Sequence, residues 1–326
     1  MRSGKINVWY MRKSLKKKIE EKQMGIAILK GNELDSSNEV NQIMSLLSDY
    51  AGFRISGFLE NKLNTVFRNA SSNELREWIR QIENDVEKND LVSLVEDLCN
   101  HETYFFRDKE QLDLLVENII PQIIKKNIKQ GKTSFNIWSA ACATGEEPYT
   151  LAMLFVNELI KMNLAHLCCA TGEIKLNDGY SVSVLGTDIS RQAIRIAREG
   201  TYQLECLDSF RQFPEEYLKY FTNIEENNGG VSVSSYRKIN DSIKKLVNFK
   251  QFNLMSNEPP MIGFDIVLCR NVLIYIDKEK QGSLQTMLGN SIKEGGCLML
   301  SPVDTLNCSG MFNLKYHNDW LIYEKK

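Results

Sequence analysis

The sequence predicts an α/β fold in which a doubly wound, mostly parallel sheet follows a small all-helical N-terminal domain and carries a small antiparallel β insertion. Three observations support this prediction. Residues 37–99 have only helical periodicity, strands alternate with helices from about residue 113, and a turn-rich segment with a short β-like run occupies residues 222–238. Strands that are separated by helices are typical of a parallel sheet covered on both faces.

The composition is that of a globular protein large enough for more than one domain. The chain has 326 residues, of which 43% are hydrophobic and 25% charged, so two domains are expected. The formal net charge is -2. This value excludes the strong basic excess of a non-specific nucleic-acid binder, and we predict no nucleic-acid partner.

The sequence also lacks the signals of export, membrane insertion and metal binding. No run of 18 apolar residues is present, and the first thirty residues lack the apolar core of a secretory signal, so we predict a cytoplasmic protein. Eight scattered cysteines form no CxxC pair, and the chain has three histidines. We therefore predict reduced thiols and no metal site.

The domain organisation follows from these changes in pattern. We predict a basic, poorly ordered N-terminal extension over residues 1–36, a helical N-terminal domain over 37–99 and the α/β domain over 100–326. Residues 2–22 carry eight Lys or Arg and two Glu. A solvated, frayed helix explains this charge run. The alternative is an arm that binds a nucleic acid or a membrane surface. We assign the segment no function.

Apolar periodicity locates the elements of both domains. In the helical domain, Val40, Ile43, Leu46 and Leu47 form one stripe, Leu75, Trp78, Ile79 and Ile82 form another, and Ser72 with Glu74 marks a helix start. In the α/β domain we predict strands at 135–143, 181–189, 264–276 and 297–302, helices at 147–162, from Ala193 to Gly200 and up to Gly295–Gly296, and a hairpin at 312–325. Residues 167–182 and 222–238 interrupt this alternation and are predicted to be insertions.

Polar and small residues follow three of the predicted strands. They are the segment 140–149, the pair Thr187–Asp188, and Cys269 to Asn271 followed by Tyr275. Ligands of doubly wound sheets bind at the carboxyl ends of the strands. The first turn has one glycine where a dinucleotide site has three, so a pyrophosphate would have no cradle, and a nucleoside ligand such as S-adenosylmethionine fits better. Asp188 is placed to accept both hydroxyls of a ribose, and its alternative role is an N-cap of the next helix.

Read together, these motifs resemble the chemotaxis receptor methyltransferase (CheR) family. The matching stretches, in the order of the family, are HETYFFRD (101–108), IWSAACATGEEPYTLAM (137–153), LGTDIS (185–190) with AIRIAREGTY (193–202), FNL (252–254) and FDIVLCRNVLIYID (264–277). The segment around Tyr50–Gly52 also looks like the N-terminal domain of that family. The resemblance covers roughly residues 40–300 and implies a Rossmann-like S-adenosylmethionine-dependent methyltransferase domain.

The resemblance implies a cofactor site built from several strand ends. The residues that it implies for cofactor binding are Thr103, Arg107, Glu147, Asp188, Asn253, Leu254, Arg270 and Asn271. Thr103, Arg107 and Glu147 would lie at the methionine end, Asp188 at the ribose, Asn253 with Leu254 at the adenine, and Arg270 with Asn271 beside the sulfonium. Arg107 and Tyr275 would lie nearest to the reacting methyl group and are the implied catalytic residues.

Three of these assignments have structural alternatives. Arg107 could form a surface ion pair with a neighbouring acid such as Asp108, and Tyr275 could be a packed aromatic ring in an apolar run. For the pair Phe105–Phe106 we favour a core role over a ligand contact.

The implied activity is transfer of a methyl group from S-adenosylmethionine to glutamate side chains on the cytoplasmic helices of chemoreceptors, with S-adenosylhomocysteine as product. A Glu side chain, with a pKa of about 4.3, is already ionised at neutral pH, so the transfer needs no general base. The alternatives are a sensor that binds the cofactor without transfer and a methyltransferase for another carboxylate. The implied partners are the receptor helices and the C-terminal receptor peptide, which the 222–238 insertion would bind unless it is only a structural flap. The protein would meet the membrane only through the receptor.

The sequence departs from the family pattern at four places. His101 stands where the family usually has Asn, and SPVD (301–304) replaces a Gly-His-Ser-Glu-like turn. The insertion at 167–182 has no counterpart that we can place. The helical domain offers Arg54, Lys62 and Arg68 but few other basic residues, which predicts weaker docking on an acidic receptor helix.

Overall fold

The computed structural model describes residues 37–168, 172–204, 209–228, 231–306, 309–317 and 320–326. The predicted basic extension, residues 1–36, lies outside the described residues. Within the part of the chain that is described, no helix is long and apolar enough to cross a membrane.

Four helices form the N-terminal part of the described chain. They are α1 (Ser37–Ala51), α2 (Gly57–Val66), α3 (Ser72–Asn84) and α4 (Asn89–Leu98). Helix α3 begins at Ser72, as predicted, and Ser71 is its N-cap, which forms a reciprocal capping box with Glu74. Ile43, Leu47 and Leu63 are among the fully buried side chains of the cluster that joins the four helices. The prediction of an all-helical N-terminal part is confirmed.

Alternating helices and strands follow. The first is a continuous helical segment made of α5 (Lys109–Leu114), a π-helical turn (Leu115–Ile119) and α6 (Ile120–Lys129). The remaining elements are β1 (Ser134–Ala140), α7 (Glu146–Lys161), β2 (Ala165–Leu167), β3 (Ile174–Leu176), β4 (Ser181–Asp188), α8 (Arg191–Glu199), β5 (Thr201–Gln203), a 3-10 turn (Glu215–Tyr220), β6 (Phe221–Asn228), β7 (Val231–Ile239), α9 (Asp241–Lys244), β8 (Val247–Gln251), β9 (Phe264–Cys269), a 3-10 turn (Leu273–Tyr275), α10 (Lys278–Ser291), β10 (Ile292–Leu300), a 3-10 turn (Ser309–Met311), β11 (Phe312–His317) and β12 (Trp320–Lys325).

Seven strands form the central sheet in the order β11-β12-β10-β9-β1-β4-β8. The pairs from β10 to β8 are parallel, and the terminal hairpin β11–β12 adds to β10 in the antiparallel direction. Strand β1 lies between β4 and β9, so the chain extends the sheet first to one side and later to the other. The predicted doubly wound sheet and terminal hairpin are confirmed, and the strand order reverses beside β1, where such sheets bind ligands.

The core explains why β1 and α7 read as apolar segments. Helix α7 is buried on almost every side, and its side chains Leu151, Leu154, Phe155 and Leu159 are all buried, with Ile160 packed at the margin. On β1 the ring of Trp138 is fully buried against Phe264. Its indole N–H donates to the Thr187 hydroxyl at 2.9 Å, which satisfies a buried donor and joins β1 to β4.

Both predicted insertions are β structures. Strand β3 lies within the first insertion and pairs with β2, which ends where that insertion begins; residues 169–171 lie outside the described residues. Strands β5, β7 and β6 form a three-stranded antiparallel sheet in that order. Strand β5 pairs with only three residues of β7, Tyr236 to Lys238. The antiparallel β insertion at 222–238 is therefore confirmed.

Two predicted boundaries are wrong. The strand predicted at 264–276 ends at Cys269, because the backbone turns at Asn271, which has a φ of 57°, and Leu273–Tyr275 form a 3-10 turn. We expected the last helix to continue to Gly295–Gly296, but α10 ends at Ser291 and both glycines belong to β10. The register with β9 shifts between Ile292 and Cys297, and a Cβ on Gly296 would lie 2.8 Å from the Asp265 carbonyl oxygen. The glycines therefore mark an irregular strand that passes close to its neighbour, and not a helix end.

The close packing of β4 gives a test of this core. A Cβ on Gly186 would lie 2.7 Å from the Phe249 ring and 2.8 Å from the Pro148 ring. We expect Gly186→Ala to destabilise the protein by about 1–3 kcal/mol, because the overpacked core must shift. The control is Gly282→Ala in α10, where nothing lies within 4 Å, and which should be neutral or stabilising by about 0.5–1 kcal/mol. Urea unfolding followed by circular dichroism measures both, and equal midpoints would contradict the packing described.

Candidate functional site

A cavity opens at the carboxyl ends of β1, β4, β8 and β9, as predicted for a doubly wound sheet. Its volume is about 1080 Å³, including the space that is open to solvent. All nine residues that the sequence assigned to the site line this one cavity: Thr103, Arg107, Glu147, Asp188, Asn253, Leu254, Arg270, Asn271 and Tyr275. The tertiary structure therefore brings together residues that are up to 172 positions apart in the chain.

The turn between β1 and α7 holds its backbone in an unusual conformation. Ala141 and Ala143 have φ angles of 60° and 46°, and Gly145 has a φ of 96°. The left-handed region is strained for a residue with a side chain, so the surrounding contacts must hold the turn. One such contact is the Ala143 N–H, which donates to the Asp188 carboxylate at 2.9 Å.

Asp188 ends β4 and is buried in the wall of the cavity. One oxygen accepts the Ala143 N–H and the other accepts the Ser190 N–H at 2.9 Å. Ser190 caps α8 by accepting from the Ala193 N–H, so the alternative role of Asp188 as the N-cap is wrong. Burial raises the pKa of Asp188, and the N–H donors and the charge of His101 oppose this shift. Each oxygen keeps acceptor capacity for a hydroxyl in the cavity.

Glu147 and Arg270 form a buried ion pair beside the same turn. The Arg270 guanidinium bonds to one Glu147 oxygen through Nε and Nη2, each at 2.8 Å. The other Glu147 oxygen accepts the Ser139 hydroxyl at 2.6 Å. Both oxygens of Glu147 are therefore engaged within the protein, and the carboxylate is held in place by a cation.

The remaining donor of Arg270 reaches the loop between α4 and α5. Its Nη1 lies 3.1 Å from the Arg107 carbonyl oxygen, 3.1 Å from the Gln111 side-chain oxygen and 3.4 Å from the Asp108 carboxylate. Asp108 has a φ of 55°, so this cation also supports a strained backbone at the cavity wall. Because Asp108 pairs with Arg270, it is not the ion-pair partner of Arg107 that the sequence left open.

Arg107 lies in the same loop with its side chain turned to a different group. Its Nη1 donates to the Glu102 carbonyl oxygen at 2.6 Å, and its guanidinium lies 5.8 Å from the centre of the Tyr104 ring.

The predicted core role of the two phenylalanines in this loop is confirmed. Phe105 and Phe106 are buried in an aromatic cluster with five further rings, which are Tyr202, Phe210, Phe213, Tyr217 and Phe221.

Asn253 and Leu254 follow β8 on the opposite wall. The Asn253 amide donates to the Tyr50 carbonyl oxygen at 2.7 Å, and its oxygen accepts the Met255 N–H at 2.9 Å. Asn253 therefore joins the helical part to the cavity wall. Leu254 is buried next to it, and Phe252 lines the same wall, which gives this side an apolar surface suited to a flat ring.

Asn271 and Tyr275 complete the cavity after β9. Asn271 has a φ of 57°, and its N–H donates to the Ser301 hydroxyl at 2.5 Å. Ser301 belongs to the SPVD segment that departs from the family pattern, so this segment supplies a bond to the site. Tyr275 is half-buried in a 3-10 turn, and its carbonyl oxygen accepts the Arg54 N–H at 2.8 Å. Its side chain lines the cavity and is not the fully packed aromatic of the alternative interpretation.

Comparison with known proteins gives the family. Residues 101–317 match the family described as "CheR methyltransferase, SAM binding domain". The chain belongs to the CheR methyltransferase family. It is 26% identical over 286 residues to a chemotaxis protein methyltransferase of Borreliella burgdorferi, covering 86% of this chain and 92% of that protein. It is 29% identical over 250 residues to chemotaxis protein methyltransferase 1 of Pseudomonas aeruginosa, covering 76% and 82%.

These findings confirm the predicted family, the S-adenosylmethionine-dependent methyltransferase fold, the cofactor and a methyltransferase function in chemotaxis. The cavity of this CheR protein fits the cofactor. Asp188 offers acceptors to a ribose, Leu254 and Phe252 offer an apolar wall, and the single-glycine turn offers no phosphate cradle. Among the described residues, no group of His, Cys, Asp or Glu could hold a metal ion.

Sequence reasoning missed the contribution of the helical part to this cavity. Ala51, Phe53, Val95, Leu98 and Cys99 also line it. These residues are apolar or small and show no motif, and nothing in their spacing indicates which surface they meet. The one available signal was the position of HETYFFRD directly after α4, which places the end of that helix beside the cofactor loop.

The buried carboxylate gives a test by ligand binding. If Asp188 accepts ribose hydroxyls, Asp188→Ala should weaken binding of S-adenosylhomocysteine by about 1.5–3 kcal/mol, the scale of hydrogen bonds to charged groups. Affinity should fall as the pH falls through the pKa of Asp188, which burial holds above its ordinary value, because protonation removes an acceptor. Isothermal titration calorimetry over a pH series measures both effects.

The control is Asp178→Ala, which removes an exposed carboxylate outside the cavity and should leave the affinity unchanged. Asp188→Asn should bind weakly at neutral pH and lose the acid-dependent decrease. A folded Asp188→Ala protein with wild-type affinity would remove this residue from the cofactor site.

Proposed function

We propose that this CheR protein methylates glutamate side chains on the cytoplasmic helices of chemoreceptors, giving glutamyl methyl esters. The protein would work in the cytoplasm and meet the membrane only through the receptor. The observation that carries this proposal is that Arg107 and Tyr275 line the same cavity as Asp188 and Glu147. An acceptor that enters this cavity can therefore reach a cofactor held by the strand ends.

The chemistry requires alignment more than proton transfer. S-adenosylmethionine, when bound, supplies a methyl group that is activated by a positive sulfur. A carboxylate oxygen of the acceptor attacks the methyl carbon, and the electron pair of the breaking C–S bond moves to sulfur, leaving S-adenosylhomocysteine. A free Glu is ionised at neutral pH, with a pKa of about 4.3, so no base is needed. Glu147 is in any case unsuited to act as a base, since Ser139 and Arg270 occupy its oxygens.

The proposed roles of the chain's residues follow from their contacts. Asp188 would accept the ribose hydroxyls, Leu254 and Asn253 would border the adenine, and Thr103, Arg107 and Glu147 would lie at the methionine end. Asn271 would complete the pocket beside the sulfonium. For Arg270, whose guanidinium bonds to four protein residues, we propose mainly a positioning role, in which it holds Glu147 and the Arg107 loop together.

The proposal is tested by the chemistry of the product. Incubation with methyl-labelled S-adenosylmethionine and a receptor-containing membrane fraction should give label that mild alkali releases as volatile methanol, because a carboxyl ester hydrolyses and an N-methyl group does not. Label that survives alkali would assign a different acceptor. Wild-type protein that binds the cofactor but labels nothing would instead indicate a sensor, and label on a non-receptor protein would indicate another carboxylate substrate.

Two variants separate transfer from binding. Tyr275→Phe and Arg107→Ala should lower kcat by about tenfold or more while unfolding remains unchanged, because both side chains are proposed to act near the methyl group and neither is in the core. The matched control is Tyr316→Phe, which removes a hydroxyl from an exposed ring on β11 and should keep wild-type kcat. Wild-type turnover in both active-site variants would contradict these roles.

The β insertion supports a finer proposal about the receptor tail. In the described backbone, β6 is an edge strand. The first part of β7, from Val231 to Ser234, pairs only with β6, so its other edge is also open. An open strand edge can bind an extended peptide by strand addition, and such a tether raises the local concentration of methylation sites. We propose that this sheet binds the C-terminal peptide of the receptor.

The tether is tested with two receptors, one full-length and one without its C-terminal tail. Deletion of Asn227–Gly230, or Val233→Pro to remove a backbone donor, should reduce methylation of the full-length receptor and spare the tailless one. Equal loss on both receptors would indicate misfolding or another docking surface. Unchanged methylation of both would mean that the insertion is only a structural flap.

A further inference from the structure

Three exposed aliphatic side chains belong to segments that form, or hydrogen-bond to, the cavity wall at Tyr275 and Asn271. Ile55 is 54% exposed, Ile274 is 49% exposed and Val303 is 78% exposed. They come from the loop after α1, from the 3-10 turn that carries Tyr275, and from the SPVD segment. We call this set the apolar rim. None of the three is part of the cavity lining, so the cofactor site does not explain their exposure.

Backbone pairing places two members of the apolar rim together. Phe53 and Ile276 form an isolated antiparallel bridge. The Arg54 N–H donates to the Tyr275 carbonyl oxygen, and the Asp277 N–H donates to the Gly52 carbonyl oxygen, each at 2.8 Å. Ile55 follows Arg54 in the chain and Ile274 precedes Tyr275, so both isoleucines are next to this hydrogen-bonded pair. The two exposed isoleucines therefore flank the backbone pair that holds Tyr275.

The third member is fixed to the other side of the same residues. Ser301 accepts the Asn271 N–H, and the Asp304 N–H donates to the Ser301 carbonyl oxygen. These bonds hold the tight turn that carries Val303 against Asn271, which lines the cavity three residues before Ile274. The apolar rim is thus continuous with the catalytic wall of the cavity on two sides.

The charge of this surface is small and mixed, since Arg54 is a cation in the loop after α1 and Asp304 is a carboxyl group in the turn that carries Val303. Arg54 is exposed between Phe53 and Ile55, and among the described residues its guanidinium has no ion-pair partner. The basic residues of the helical domain are otherwise few, and Lys62 already donates to the Leu98 carbonyl oxygen at 2.8 Å. In the part of the chain that is described, an acidic partner would therefore meet the Arg54 guanidinium, which is next in the chain to the exposed Ile55.

We propose that the apolar rim is the docking surface for the acceptor, and that it binds an α-helix whose methyl-accepting glutamate is flanked by apolar side chains. Residues three and four positions apart share one face of a helix. A helix that directs its glutamate towards Tyr275 therefore presents the neighbouring turns to Ile55, Ile274 and Val303. Arg54 matches the negative charge of such a helix. Most of the affinity in this CheR protein then comes from apolar contact, and Arg54 contributes orientation.

This inference rests on the proposed function and is tested by the Michaelis constant for a receptor cytoplasmic fragment. Ile55→Ser with Ile274→Ser should raise KM by roughly tenfold, because the apolar area buried by two isoleucines is lost. The affinity for S-adenosylhomocysteine should stay at the wild-type value. The matched control is Val86→Ser, which changes a 95% exposed aliphatic residue in the turn after α3 and should leave KM unchanged.

Salt and charge variants separate apolar from electrostatic docking. Between about 50 and about 300 mM salt, KM of the wild type should change by less than roughly threefold, since salt screens charges and not apolar contacts. Arg54→Gln should raise KM less than the double isoleucine variant does. An unchanged KM in the double variant, or a larger effect of Arg54→Gln together with a steep salt dependence, would overturn the proposal.

Two further outcomes are distinguishable from these. If the wild-type protein labels no receptor fragment at any concentration, the proposed function itself is wrong. If sedimentation shows a wild-type dimer that the double variant abolishes, the apolar rim joins two copies of the chain and the docking proposal is wrong. If the wild-type protein labels the fragment and sediments as a monomer, the KM of the double variant decides whether the apolar rim is the docking surface.

Discussion

The cofactor cavity depends on one buried cation. Arg270 leaves the end of β9 with its side chain 2% exposed and bonds to Glu147 on α7 and to the Arg107–Gln111 segment. Taking a guanidinium out of water is unfavourable unless charges and acceptors surround it. Here they do, and the partners lie on two separate segments that each contribute a residue to the cavity lining. The hydrogen bonds and the ion pair of this one buried guanidinium thus hold the end of β9, α7 and the Arg107–Gln111 segment together, although these elements are far apart in the sequence.

Asp188 has a similar organising role on the other side of the cavity. Its carboxylate holds the strained turn after β1 through the Ala143 N–H and the entry to α8 through the Ser190 N–H. Ala141 and Ala143, whose φ angles are in the left-handed region, line the cavity together with Asp188. The groups that shape the turn therefore also face the cavity.

The helical part does more than precede the methyltransferase part. Asn253 bonds to Tyr50, Tyr275 accepts from Arg54, and Lys280 donates to the Ser48 carbonyl oxygen at 2.6 Å. These contacts make the end of α1 and the following loop one wall of the cavity. A side chain on Gly52 would lie 2.4 Å from the Met255 sulfur, so the approach of the two parts is close at this point.

The sequence by itself determined the alternation of strands and helices and the helical N-terminal part, because periodicity is a local property of the chain. Its motifs indicated the family and, through the resemblance, nine of the residues that line the cavity. Only the tertiary structure decided what those residues contact. It showed that Ser190, and not Asp188, caps α8, that Asp108 pairs with Arg270, and that α10 ends before Gly295–Gly296. It also added the α1 and α4 residues to the cavity. Such contacts depend on side chains that meet across the fold, and no local pattern records which surfaces meet.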